Sequence, residues 1–221
     1  MKSVLGLLLL VVCTPSLWAT HNLAGQITYE DLGGGRFLIT LTTYTDPSEA
    51  GVDRCTADIE IWNVRGAQRV FLDVLDDVPR QNGPPATSCD PPFVGAQNGV
   101  PIRGAIKKNI YTVEYTVPGP GLYELRYSDP NRINGVSNMA NSGAVTFYVE
   151  TRLVYNPFIG SNSSPILLND PLDDACLNAL WNHNPGGFDP DGDSLTYTLI
   201  PSQQYDLALD STPFNVPAFQ F

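Results

Sequence analysis

Apolar residues recur at every second position through most of the first 150 residues, and this period decides what the chain can fold into. In residues 36–44, Phe37, Ile39 and Leu41 point one way while Thr40 and Thr42 point the other. Residues 57–64 set Ile59 and Ile61 against Asp58 and Glu60, and residues 68–75 repeat the pattern with Val70, Leu72 and Val74. Residues 108–117 carry Tyr111, Val113, Tyr115 and Val117, residues 121–128 carry Tyr123, Leu125 and Tyr127, and residues 145–149 close the series. Successive side chains of a strand face opposite ways, so a period of two buries one face of a sheet and wets the other. No stretch of helical length keeps a 3.6-residue period.

The breaks agree. Gly33-Gly34-Gly35 separates a strand at residues 26–30 from the next, and Pro118-Gly119-Pro120-Gly121 joins two strong strands tightly. Proline fixes φ and glycine tolerates positive φ, which is what such turns require. About seven strands with turns at intervals predict an all-β protein built on an antiparallel Ig/cadherin-like β-sandwich over residues 20–152. Residues 78–101 break the rhythm and read as a long surface loop. Beyond the sandwich, residues 153–221 read as a linker and a truncated second cadherin-like β-domain, whose clearest strand is 195–200. So few strong strands bury little apolar surface by themselves, which predicts an incomplete domain.

The N-terminus has the layout of a secretory signal. Lys2 precedes an apolar run, Ala19 offers a small residue for cleavage, and polar Thr20 follows, so residues 1–19 form the leader. That run is well short of the roughly 20 apolar residues a membrane-spanning helix needs. No other segment resembles a transmembrane helix. The expected destination is the cell exterior.

Charge narrows the partners. The chain carries a formal −11 at pH 7, and residues 153–221 hold eight Asp with no Glu, Lys or Arg. Nucleic-acid binders need basic patches, so nucleic acid is excluded as a partner. An acidic exported chain is suited to a divalent cation or to a surface ligand, glycan or protein.

Exported chains keep disulfides. Cys55 and Cys89 are the candidate pair, closing a loop of about 35 residues worth on the order of 3–4 kcal/mol. Cys55, Cys89 and Cys176 allow three single pairings, and spacing does not choose among them.

The sharpest local motif is Asp189-Pro190-Asp191-Gly192-Asp193, directly before a predicted strand. Carboxylate oxygens are hard ligands, so Asp189, Asp191 and Asp193 are candidate ligands of Ca2+. The spacing is not that of an EF-hand, and an Asp/Gly turn capped by its own side chains is the competing reading. A second motif, residues 129–138, is an Asn- and Gly-rich loop between two strands, suited to a partner or glycan at one sandwich end. Catalytic signatures are scarce. His21 and His183 are the two histidines and neither has a metal-site spacing. No nucleophile elbow or phosphate loop occurs. The tyrosines at spacing two are a core face before they are a sugar platform.

Four stretches carry a family resemblance: residues 20–29 after the leader, the 129–138 loop, residues 147–151 and residues 188–197. Together they resemble exported Bacteroidota proteins of the gliding motility-associated C-terminal domain family. The last stretch also resembles cadherin-like repeats linked to calcium. The resemblance implies Ig- or cadherin-like domains upstream of a type IX secretion sorting domain, which these residues do not include. It therefore implies further domains of the same polypeptide and a place on the outer-membrane exterior, and it transfers no catalytic residue.

The expected function is thus a non-catalytic, adhesin-like surface module, calcium-stabilised in its second part. The rival is a carbohydrate-binding module accessory to a distant enzyme. A hydrolase would need paired carboxylates brought together in space.

Overall fold

The computed structural model describes residues 22–46, 54–81, 100–103, 106–130, 132–171, 180, 182–205 and 213–216. The leader, Cys89 and Cys176 lie outside them. The described residues form an all-β structure whose body is two antiparallel four-stranded sheets.

The first sheet runs β1 (Asn22–Gly33), β2 (Arg36–Thr45), β6 (Ile106–Thr116), β5 (Val100–Arg103). The second runs β4 (Gln68–Pro79), β3 (Thr56–Arg65), β7 (Gly121–Asp129), β8 (Phe147–Tyr155). All seven strands predicted for residues 20–152 are present, and β5 is added where the long loop was expected to end. Gly33, which ends β1, and Gly34 and Gly35 after it all have positive φ, 83°, 66° and 79°, a backbone that bars most side chains and reverses the chain into β2.

The alternating residues fill the space between the sheets. Phe37, Ile39, Leu41, Ile59, Ile61, Tyr111, Tyr123, Leu125 and Leu153 are buried in one cluster. Burying each such side chain stabilises by about 1.5–3 kcal/mol. Phe37 meets Tyr29 and Tyr155 edge-on, with centroids 5.8 and 6.0 Å apart. The tyrosines of β6 and β7 are therefore core residues, as their spacing predicts, with Tyr115 packed at the margin.

β4 departs from its predicted alternation. Its register with β3 shifts twice: Ile61 faces Asp73 while Trp62 faces Phe71, and Ala57 faces Val78 while Ile59 faces Leu75. Leu72 is the extra residue of the first bulge, and Asp77, at φ 53°, sits in the second. β4 is an edge strand, and bulges of this kind bend an edge away from further pairing. Val70 and Leu72 consequently stand exposed rather than in the core.

The region after the sandwich holds β9 (Ile166–Leu167) paired with β10 (Gly187–Phe188), and β11 (Gln203–Gln204) paired with β12 (Phe214–Asn215). The predicted strand at 195–200 forms no ladder. Its side chains have strand chemistry, but a strand also needs a neighbour's backbone, and none of the described residues supplies one.

Contacts cross the predicted boundary at residue 152. Ser164 exchanges bonds with the β1 edge: its N–H donates to the Tyr29 carbonyl at 2.8 Å and its Oγ accepts from the Tyr29 N–H at 2.8 Å. Asp170 accepts from the Tyr44 hydroxyl and from Lys108 Nζ at 2.7 and 2.8 Å. Tyr205 packs on Trp62 and Tyr148, and Val216 on Met139 and Val145.

Candidate functional site

Three strand ends meet at one end of the second sheet: the start of β3, the bulged end of β4 and the end of β7. Between them lies a cleft of about 380 Å³ lined by Arg54, Thr56, Ala57, Asp58, Asp77, Tyr127, Ser128 and Asp129. Antiparallel neighbours bring their opposite termini to the same edge, which is why residues from three distant segments converge here.

Asp129 is the buried anchor of the cleft. Its Oδ2 accepts from Arg54 Nε at 2.5 Å and from the Tyr127 hydroxyl at 3.2 Å. Burial pushes the Tyr127 hydroxyl pKa well up, and the Asp129 charge adds to it, so Tyr127 stays a donor. Burial pulls the Arg54 guanidinium down, but the hydrogen bond and charge of Asp129 outweigh it and leave Arg54 more basic than usual. Arg54 is held from behind, where its carbonyl accepts from the Tyr111 hydroxyl at 2.8 Å.

The two remaining acids are differently placed. Asp58 accepts from the Asp77 N–H at 2.9 Å, and Asp77 accepts from the Thr56 hydroxyl at 3.2 Å. Both are exposed and neither has a basic partner among the described residues. With Arg54 neutralising Asp129, the cleft retains the charge of two carboxylates. That favours a basic or hydroxyl-bearing group over an anion.

A second charged feature lies on the outer face of the same sheet. Glu124 and Arg126 are fully buried although they point away from the sandwich interior. Glu124 pairs with Arg126 and accepts from Arg69 Nε at 2.9 Å, with Arg152 3.4 Å away. Burial raises the Glu124 carboxyl, but the bonds from Arg69 and Arg126 outweigh it and hold its pKa below the usual value. The Arg126 guanidinium lies 4.8 Å from the Trp62 ring centroid and 5.4 Å from that of Tyr205. This is a structural clamp for the 203–205 segment.

The predicted site residues fall as follows. Asp189 Oδ1 accepts from the N–H groups of Asp191 and Asp193 at 2.9 and 3.2 Å, and Asp191 Oδ2 accepts from the Ser163 N–H at 2.6 Å. Asp189 thus caps its own turn, while Asp191 ties that turn to the segment bonded to β1. No three acidic, histidine or cysteine side chains gather round a common point among the described residues. As placed, these aspartates are hydrogen-bonded as a self-capped turn. Cys55 is disulfide-bonded; Cys89 lies outside the described residues. His183 lines a small cavity of about 70 Å³ with Tyr44 and Asn169, not a deep pocket of convergent acids. Of the 129–138 loop, Asp129 reaches the cleft, while Arg132 turns back to donate to the carbonyls of Thr146 and Gln203 at 3.1 and 3.3 Å.

Sequence reasoning missed Arg54, Asp58 and Asp77 as neighbours of Asp129. The available signal was the position of Arg54 beside a disulfide cysteine and of Asp129 at a strand end. Comparison with protein-family models, curated proteins and solved structures gave no match. No helix of the described residues is long and apolar enough to cross a membrane.

Proposed function

We propose that this chain is an exported, non-catalytic, adhesin-like surface module of a larger multidomain protein, and that it engages a polar, basic partner at the Arg54–Asp129 cleft. The observation that carries the reading is the cleft itself: a strand-end site with one neutralised buried acid and two exposed carboxylates that have no basic partner among the described residues. Binding residues placed at the end of a sandwich suit recognition, because the sheets hold them while the surface stays open. The leader, the acidic charge and the resemblance to gliding motility-associated, type IX-secreted proteins with Ig- or cadherin-like repeats support an address on the cell surface.

The carbohydrate-module reading is the weaker of the two. The one aromatic ring lining the cleft, Tyr127, is buried and gives its hydroxyl to Asp129, so the cleft itself turns no ring out for a sugar to stack upon. Calcium stabilisation of the second part has the candidate ligands Asp189, Asp191 and Asp193, but the hydrogen bonds of that turn favour self-capping.

The test is to offer the mature protein arrays of glycans and of acidic, neutral and basic peptides, and to assay the same set for cleavage products. The reading expects retention of basic peptides without turnover. Release of product from any of them would overturn it.

A further inference from the structure

Residues 194–200, Ser-Leu-Thr-Tyr-Thr-Leu-Ile, have a strand's composition, yet they belong to no helix, turn or ladder. Tyr197, Leu199 and Ile200 are 61%, 79% and 58% exposed. The segment is nonetheless held in place. Its Leu195 and Tyr197 side chains pack on β10, where a side chain at Gly187 would collide with the Tyr197 hydroxyl. Among the described residues nothing pairs with its backbone edge, and the outer parts of its side chains are open.

The central five residues read the same in both directions: Leu195-Thr196-Tyr197-Thr198-Leu199. Antiparallel pairing of two identical strands has a two-fold axis that passes through one residue, because directly opposed side chains must share a face. An axis through Tyr197 opposes Leu195 to Leu199, Thr196 to Thr198 and Tyr197 to itself. Leu–Leu and Tyr–Tyr then share one face and the Thr–Thr pairs the other, all favourable cross-strand pairs.

The ends of the segment choose the same register. Asp193 falls opposite Pro201 at both ends, so the ladder stops where Pro201 lacks an N–H. Moving the axis to Thr196 would set Asp193 against Leu199, and moving it to Thr198 would bring Pro201 into the ladder. With the axis at Tyr197 the acidic turns of the two copies lie at opposite ends of the ladder, so their like charges do not meet.

We infer that residues 194–200 are a self-pairing surface, and that its occupant is the same segment of a second copy of this chain, antiparallel about Tyr197. Seven residues of ladder bury less than the roughly 1,200 Å² of a stable interface, so the dimer is weak and concentration-dependent. The inference is independent of the cleft and of what the cleft binds.

The experiment is analytical ultracentrifugation of the mature chain over a concentration series, with site-specific crosslinking. The expected mass rises toward twice the monomer value, and Leu199→Pro, which removes one ladder N–H at an exposed position, abolishes the rise while leaving the thermal midpoint unchanged. Tyr197→Cys crosslinks to its counterpart under mild oxidation much faster than Val70→Cys, an exposed position on the edge strand β4 of the sandwich. A monomer at every concentration would overturn the inference, and so would equal crosslinking of the two cysteine variants.

Discussion

Arg54 Nε donates to the buried Asp129 carboxylate at 2.5 Å across 75 residues of sequence, joining the approach to β3 with the end of β7. The pair sets up the cleft, because it neutralises the buried acid of its lining. Arg54→Ala should leave the buried Asp129 without its cation and destabilise the protein by about 1–3 kcal/mol, less than for a fully buried pair because Arg54 is half-exposed. Arg54→Lys should recover part of the loss. Urea unfolding of the two variants measures this.

Tyr205 fastens the region after the sandwich to the sheet. It is buried between Arg126 and Tyr148, with ring centroids of the two tyrosines 5.7 Å apart. Tyr205→Ala should cost about 3 kcal/mol for the lost aromatic packing and the cation–π contact. Limited proteolysis should then cut within residues 202–216 well before the sandwich.

Glu124 gives the protein an acid-sensitive element. Its folded pKa lies below its ordinary value, so between the two the unfolded state binds more protons and stability rises with pH. The contribution is present above the ordinary glutamate value near 4.3 and is lost as pH falls through the depressed folded value. Thermal midpoints of the wild type and of Glu124→Gln, followed from neutral to acid pH, should converge as the pH drops. Parallel curves would remove Glu124 from the account.

The Asp189–Asp193 turn makes a separate prediction. Asp189→Asn keeps one acceptor oxygen for the turn, so it should cost under about 1 kcal/mol, whereas Asp189→Ala should cost about 1 kcal/mol or more. Chelator should leave the wild-type midpoint unchanged. A calcium-dependent rise abolished by Asp191→Asn would show that the carboxylates regroup round an ion.

Much of the fold was legible because strand alternation is local: the burial of Phe37, Ile39 and Leu41, or of Tyr123, Leu125 and Tyr127, is set by one strand's own period. Residues 195–200 have that same local pattern and form no strand, since pairing depends on a neighbour. Val70 and Leu72 look like core residues but stand on a bulged edge, and a bulge arises from register with another strand. The buried Glu124 and Arg126 were hidden for the same reason. They lie on a face that reads as solvent, and Tyr205, some eighty residues on, covers it. The cleft was the least legible part. Asp129 was visible as the start of a polar loop, but Arg54, Asp58 and Asp77 become its neighbours only when three strand ends are laid side by side.

The most direct measurement is calorimetric titration of the mature protein with whichever basic peptide the array retains, repeated with the Asp58→Asn, Asp77→Asn double variant. Saturable binding by the wild type, weakened at least tenfold in the variant and with the peptide recovered intact, is the predicted result. Equal affinity in the two proteins, or a peptide returned cleaved, would contradict the account.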